Sequence, residues 1–207
     1  KKYPSKYVSK IYVIPALLRK KFYEIEKAKN INQDIDLLVI GGSQGAKIFD
    51  RLIKLSIIKL SRKYNLKIYK QTNSVNFKKF EKFFKENNIN YKLFDFNENI
   101  SHLMSKANMC ITRAGASTLA ELVFLNLPFV AIPLPGSKDN HQFENASFYE
   151  KKGCNWILNQ NEINDEIIAS KLANIIVNKD DYLEKKKNMK NFNYQNTWNN
   201  INQKIIS

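Results

Sequence analysis

The sequence predicts an α/β protein built on a Rossmann-like, doubly wound parallel sheet. Short apolar runs alternate with segments of helical apolar spacing through most of the chain, from Ile35 to Val177. Small-residue turns, Gly41-Gly42-Ser43-Gln44-Gly45 and Ala114-Gly115-Ala116, each stand between such a run and such a segment. Strands that alternate with helices make βαβ units with right-handed crossovers. In such sheets ligands bind at the carboxyl ends of the strands, and both turns fall at predicted strand ends.

The elements follow in order. Residues 1–30 are basic and mixed, with possible strands at Tyr7-Val8 and Ile11-Tyr12-Val13-Ile14 and a helix over 17–27. After the polar break Ile31-Asn32-Gln33-Asp34, residues 35–40 are continuously apolar, as in a strand buried on both faces. Residues 46–62 carry Ile48, Leu52, Ile53, Ser56, Ile57 and Leu60 at helical spacing. A strand is expected at 66–70, and an amphipathic helix at 76–87 with Phe77, Phe80, Phe83 and Phe84 on one face. Then come a strand at 91–94, a helix at 100–107, a strand at 109–112 and a helix at 116–125. A strand at 129–132, a helix at 140–152 stopped by Gly153, a strand at 156–158 and a helix at 166–177 complete the alternation. Beyond Lys179 the chain turns polar, and two readings stand: a helix anchored by Leu183, Met189, Phe192, Trp198 and Ile201, or a frayed tail. Three regions result: 1–30 an inter-domain segment, 31–178 the Rossmann-like domain, 179–207 a helical tail.

Composition narrows the function classes. The 34 Lys and Arg against 19 Asp and Glu give a net charge of +15 in 207 residues. Such a charge suits an anionic partner, but Lys, Asn and Ile are enriched together, as AT-rich coding sequence produces. Nucleic-acid binding is not expected, because no recognition motif accompanies the charge and the aromatics lie in apolar runs. Two cysteines, Cys110 and Cys154, make no disulfide framework and fit a reducing compartment. No apolar run approaches the roughly 18 residues that cross a bilayer, so membrane contact is expected to be peripheral. The chain starts Lys1-Lys2-Tyr3 without Met, as a piece of a longer protein would.

The candidate site gathers at the strand ends. Thr112-Arg113-Ala114-Gly115-Ala116-Ser117-Thr118-Leu119-Ala120-Glu121 reads as a strand end, a small-residue turn and a helix start. Small residues let a ligand approach the backbone, and a helix N-terminus offers unpaired N–H groups to phosphate. Ser117 and Thr118 are also candidates to cap that helix. Glu121, about one and a half turns in, can accept two ribose hydroxyls. Asp139-Asn140-His141-Gln142-Phe143-Glu144-Asn145-Ala146 puts amides and an imidazole at another helix start, where they can read a sugar or simply cap the helix. The Gly41–Ala46 turn lacks the G-x-G-x-x-G spacing and the Walker Lys. Neither histidine, His102 or His141, has metal-ligand neighbours, and no G-x-S-x-G elbow occurs.

These three motifs, in this order, resemble glycosyltransferase family 28, over roughly residues 35–173. The resemblance implies the two-domain GT-B fold, with this chain matching its C-terminal half. It implies transfer of N-acetylglucosamine from UDP-N-acetylglucosamine to lipid-linked muramyl-pentapeptide in peptidoglycan synthesis. It places Gly42, Ser43 and Gln44 at the diphosphate and sugar, and the backbone around Asn97 and Ile100 at the uracil. It places Arg113, Gly115, Ala116, Ser117 and Thr118 at the phosphates and nucleoside, Glu121 at the ribose, and His141, Gln142 and Asn145 at the sugar. Arg19, in Ile14-Pro15-Ala16-Leu17-Leu18-Arg19, stands for the arginine of an Asn-Pro-x-Arg segment, with a shift. Lys70-Gln71-Thr72-Asn73 replaces a His-Gln-x-Gly segment with both ends changed, and His141 stands where Gln can occur. The Gly-rich loops of the N-terminal acceptor domain are absent, so no catalytic base is assigned. No cofactor or metal is expected. The implied partners are the donor, the lipid-linked acceptor through the missing N-terminal domain, and the anionic cytoplasmic face of the bacterial inner membrane. Other readings are a stand-alone UDP-sugar-binding subunit and a UDP-sugar hydrolase.

Overall fold

A computed structural model describes residues 16–41, 47–192 and 194. Tyr7-Val8, residues 11–14, Gly42, Ser43, Gln44, Trp198 and Ile201 therefore lie outside the described residues.

The described strands are β1 (Asp34–Ile40), β2 (Asn65–Gln71), β3 (Asn90–Phe94), β4 (Met109–Thr112), β5 (Phe129–Ala131) and β6 (Asn155–Ile157). They form one sheet in the order β3-β2-β1-β4-β5-β6, with parallel pairing throughout. Register is set in the middle, where Leu38 of β1 stands opposite Tyr69 of β2 and Cys110 of β4. The expected doubly wound α/β sheet is thus present.

The apolar run of β1 is divided by the period of two. Ile35, Leu37 and Val39 pack on one face with Phe49, Ile53, Ile57, Phe80, Phe84, Ile168 and Leu172. Leu38 and Ile40 pack on the other with Phe94, Met104, Leu119, Val123 and Ala146. The first face is covered by α1 (Lys47–Leu52), α2 (Lys54–Ser61), α3 (Phe77–Glu86) and α7 (Asp165–Val177); the second by α4 (Ile100–Lys106), α5 (Ala116–Phe124) and α6 (His141–Glu150). Of the four phenylalanines of α3, Phe80 and Phe84 are fully buried, while Phe77 and Phe83 are half-buried.

Three expectations need correction. The helix expected at 46–62 is two segments meeting at Ile53, which keeps helical angles and donates its N–H to the Phe49 carbonyl at 3.3 Å. Residues 17–27 hold only a 3-10 turn at Lys20–Glu24. Tertiary anchors override local spacing there: Leu18 and Phe22 are buried, the Arg19 side chain is pinned, and the Ala28 N–H donates to the Leu125 carbonyl at 2.8 Å. In α8 (Lys179–Met189) Leu183 is 47% exposed and anchors nothing; Tyr182, Lys186 and Met189 are the buried side. Tyr182 donates to the Asn108 carbonyl at 2.7 Å, and Lys186 to those of Ala28 and Lys29 at 2.8 and 3.0 Å. Those carbonyls precede β4 and β1, so α8 closes the amino end of the sheet and leaves the carboxyl end open.

Candidate functional site

The chain connection reverses direction between β1 and β4, the point where an open α/β sheet leaves a crevice. A cleft of about 170 Å³ lies there. Ile40 of β1, Phe94 of β3 and Met104 of α4 supply apolar wall, Phe96, Asn97 and Ile100 follow β3, and Thr118 and Glu121 come from α5. Gln71 and Arg19 complete the lining. Glu121 sits well inside a nine-residue helix, so most of its side chain is covered, and only 3% of the residue is exposed. Burial pushes its carboxyl pKa up, and the Arg19 guanidinium pulls it back down. The pair is bidentate: Arg19 Nε donates to Oε1 at 2.7 Å and Nη2 to Oε2 at 2.9 Å. Gln71 binds the cleft into the sheet, accepting from the Gly41 N–H at 3.0 Å and donating to the Asp95 carbonyl at 3.1 Å.

Helix α5 begins with an open end. Gly115 is its N-cap, with φ −68° and ψ 131°, and no side chain caps it, so Ser117 and Thr118 do not serve as caps. The Leu119 N–H is the first to bond back, to the Gly115 carbonyl at 3.0 Å. The amides of Ala116, Ser117 and Thr118 precede it and point out of the helix start, as first-turn donors do.

The turn before this helix is fixed from α6. Gln142 Oε1 accepts from the N–H groups of Ala114, at 3.4 Å, and Leu134, at 3.0 Å. Asn145 donates to the Ala114 carbonyl at 3.0 Å. Both groups of the Ala114 backbone are thereby held by two amide side chains one helical turn apart. Arg113 is turned the other way, donating to the carbonyls of Ile132 and Pro133 at 2.9 and 3.3 Å, and its half-buried guanidinium lies 5.3 Å from the Phe49 ring. His141 is exposed, and its Nδ1–H donates to the Lys138 carbonyl at 2.6 Å. The loop before it takes left-handed angles at Asp139 and Asn140, with φ 52° and 54°. Such angles are strained for most residues but tolerable for Asn and Asp.

Across the cleft, Asn97 Oδ1 accepts from the Asn99 N–H at 2.8 Å, and the Asn97 carbonyl accepts from Ile100 at 3.2 Å. Arg19, Asn97, Ile100, Thr118 and Glu121 thus meet in one cleft. Gly115, Ala116 and Ser117 open the adjoining helix, and Arg113, Gln142 and Asn145 shape the turn and strand end beside it. Two features escape a reading of the sequence. Phe96 is 81% exposed at the cleft, and its one sequence signal is an aromatic between Asp95 and Asn97 just past a strand. Lys70 is fully buried at the end of β2, its Nζ 2.6 Å from Asp50 Oδ1 and 4.7 Å from the Phe80 ring.

Residues 36–201 match the family model described as the glycosyltransferase family 28 C-terminal domain. Over its whole length the chain is 60% identical to a curated protein of Pelagibacter ubique, covering 58% of it. That protein is named UDP-N-acetylglucosamine--N-acetylmuramyl-(pentapeptide) pyrophosphoryl-undecaprenol N-acetylglucosamine transferase. A protein of the same name from Rickettsia bellii is 36% identical over 157 residues, 74% of this chain and 44% of that one. The chain spans about half the length of the curated relatives it matches. The crystal structure of Acinetobacter baumannii MurG superposes with a TM-score of 0.73 at 23% identity, over 84% of this chain and 52% of that one, and shares the fold.

Proposed function

The chain belongs to the glycosyltransferase family 28 C-terminal domain family, and from that premise we propose that it is the donor-binding half of a UDP-N-acetylglucosamine-dependent transferase of peptidoglycan synthesis. One observation carries the reading: a buried carboxyl side chain, Glu121, held by Arg19, faces an apolar cleft that adjoins the open N-terminus of its own helix. A uridine diphosphate has matching parts in the same order. The uracil fits against Phe96 and the Asn97–Ile100 backbone, with its polar edge toward main-chain groups. The ribose diol donates to Glu121. The diphosphate meets the N–H groups of Ala116, Ser117 and Thr118, whose helix dipole favours negative charge. The family resemblance assigns Gly42, Ser43 and Gln44, outside the described residues, to the diphosphate and His141 to the sugar.

The chemistry of such a half-site is leaving-group stabilisation. In inverting transfer the acceptor hydroxyl oxygen bonds to the sugar C1 as the C1–O bond to the β-phosphate breaks. The hydroxyl proton passes to a base on the acceptor side, and UDP departs with its added charge. Fixed N–H donors aimed at that charge act without reorganising in the transition state. The amide pair Gln142–Asn145 keeps the Ala114 backbone in place for this, so these two side chains support the phosphate end by shaping the turn. The lipid-linked muramyl-pentapeptide acceptor belongs to the half of the relatives that this chain does not match. Among the described residues no helix is long and apolar enough to cross a membrane. The net charge of +15 supports peripheral seating on anionic lipid at the cytoplasmic face, at about 1 kcal/mol per well-placed Lys or Arg.

Calorimetric titration with UDP-N-acetylglucosamine, its C4 epimer UDP-N-acetylgalactosamine and UDP tests the reading. Binding that prefers the gluco epimer and weakens about 10- to 100-fold in Glu121→Ala is expected, the loss of charged hydrogen bonds to the ribose. No binding to any of the three, or a Glu121→Ala chain that binds as well as the parent, overturns it.

A further inference from the structure

We infer that Arg19 is a positioning residue for ribose recognition: its guanidinium fork holds the Glu121 carboxylate in one plane and leaves that carboxylate's two outer lone-pair sites for a vicinal diol. The inference rests on the proposed nucleotide reading of the cleft and assigns Arg19 a task distinct from touching phosphate.

The geometry is specific. A carboxylate has about four lone-pair sites, and a bidentate arginine takes two of them. Arg19 takes one on each oxygen, at 2.7 and 2.9 Å, and among the described residues no other side-chain or backbone donor is hydrogen-bonded to the Glu121 carboxylate. The Glu121 side chain is 4% exposed and that of Arg19 53% exposed, so the acid is held inside and its partner reaches in from solvent. Arg19 is itself held in extended angles, φ −62° and ψ 139°, at the start of the 3-10 turn whose Phe22 is buried. Its guanidinium lies 5.0 Å from the Phe22 ring. The arginine is thus set in place by a segment 102 residues away in sequence from the carboxylate it aligns.

The consequence is electrostatic as well as geometric. Burial favours the protonated form of Glu121, and a protonated carboxyl offers the diol one acceptor fewer. Arg19 opposes this through its hydrogen bonds and its charge. Among the described residues the cleft lining carries no other ionisable side chain than these two. The charged groups flanking it are Lys21, which donates to Asn99 Oδ1 at 3.2 Å, and Asp95 and Glu98 in the loop before α4. None of the three exchanges a hydrogen bond with Glu121. Removing Arg19 therefore raises the pH below which Glu121 takes up a proton, and the acid limb of nucleoside binding moves up with it.

The test uses the 207-residue chain, Arg19→Met and Arg19→Lys, each titrated with uridine and with UDP between pH 5 and pH 8.5. The ¹³C resonance of the Glu121 carboxyl is followed over the same range without ligand. Arg19→Met is expected to weaken uridine and UDP alike, by about tenfold at neutral pH and by more at acid pH. Its carboxyl titrates at higher pH than in the parent. Arg19→Lys restores the charge but not the fork, so its acid limb returns toward the parent while affinity stays reduced. Loss of UDP affinity with uridine affinity intact makes Arg19 a phosphate contact and overturns the inference. An unmoved carboxyl titration, or a loss equal at every pH, overturns it too. A parent chain that binds neither uridine nor UDP overturns the nucleotide reading of the cleft, and the positioning role falls with it.

Discussion

Lys70 at the end of β2 and Glu121 on α5 are both buried charges with one ionised partner, and the two pairs are built in opposite senses. In the first the cation is fully buried and its partner, Asp50, is 22% exposed. In the second the anion is buried and the cation reaches in from outside. Asp50 also accepts from Thr72 Oγ1 at 3.2 Å and Asn76 Nδ2 at 3.4 Å, while Lys70 donates a further bond to the Gln71 carbonyl at 3.3 Å. Burial lowers the Lys70 pKa, and Asp50 opposes that shift. Protein groups thus occupy most of this pair's hydrogen-bonding capacity. Among the described residues the Glu121 side chain is bonded by Arg19 alone, and it lines a cleft. Two ion pairs of similar length at one end of one sheet therefore differ in kind: one is sealed into the fold, the other faces a cleft.

The comparison breaks most visibly at Asp50. Asp50→Ala strands the Lys70 ammonium without its partner, so a loss of about 3–5 kcal/mol is expected in urea unfolding. Lys70→Met removes the buried charge and fills its space with an apolar chain, and costs much less. Equal losses in the two variants would show that the buried cation is not what makes the pair matter.

A second buried cation sharpens the point. Lys186, 5% exposed, rests against two carbonyls, and burial, with a smaller push from Lys190, lowers its pKa to about 8. An unfolded lysine keeps its proton to about pH 10.4. Between these values the unfolded chain binds more protons, so folding stability rises with pH through this window. The parent is expected to gain about 2 kcal/mol relative to Lys186→Met between pH 8 and pH 10, read as the difference between their urea unfolding curves. A flat difference would mean that the two carbonyls compensate the desolvation fully.

The smallest effect on the fold and a selective one on the cleft is expected at Phe96. With 81% of the residue exposed, Phe96→Ala should change stability by no more than about 0.5 kcal/mol. Base–aromatic stacking is worth about 1–3 kcal/mol, so UDP binding measured by calorimetry should weaken by that amount. Unchanged affinity would place the uracil elsewhere in the cleft.

Much of the scaffold was legible because it rests on local pattern. The run Met109-Cys110-Ile111-Thr112 is β4 residue for residue, and Gly115-Ala116 marks the start of α5 as expected. The amide side chains of Gln142 and Asn145 show the limit of that reading. Their residue type suits sugar hydroxyls, yet their bonds go to the backbone of Ala114 and Leu134, because parallel pairing of β4 with β5 sets the loop after β5 beside the turn after β4. The 17–27 segment departs from its local pattern for a similar reason: its apolar residues keep helical spacing, but contacts with α5 and the core decide its path.

The sequence by itself determined the alternation of strands and helices and the placing of a carboxylate one and a half turns into a helix that follows a small-residue turn. Each depends on residues within a few positions of one another, where periodicity and backbone freedom act directly. The tertiary structure alone decided which charges meet. Lys70 finds Asp50 twenty residues away, and Glu121 finds Arg19 across 102, since an ion pair depends on where the packed elements bring side chains and on how much water they exclude. That exclusion makes Lys70–Asp50 part of the core and leaves Glu121 oriented at the edge of a cleft.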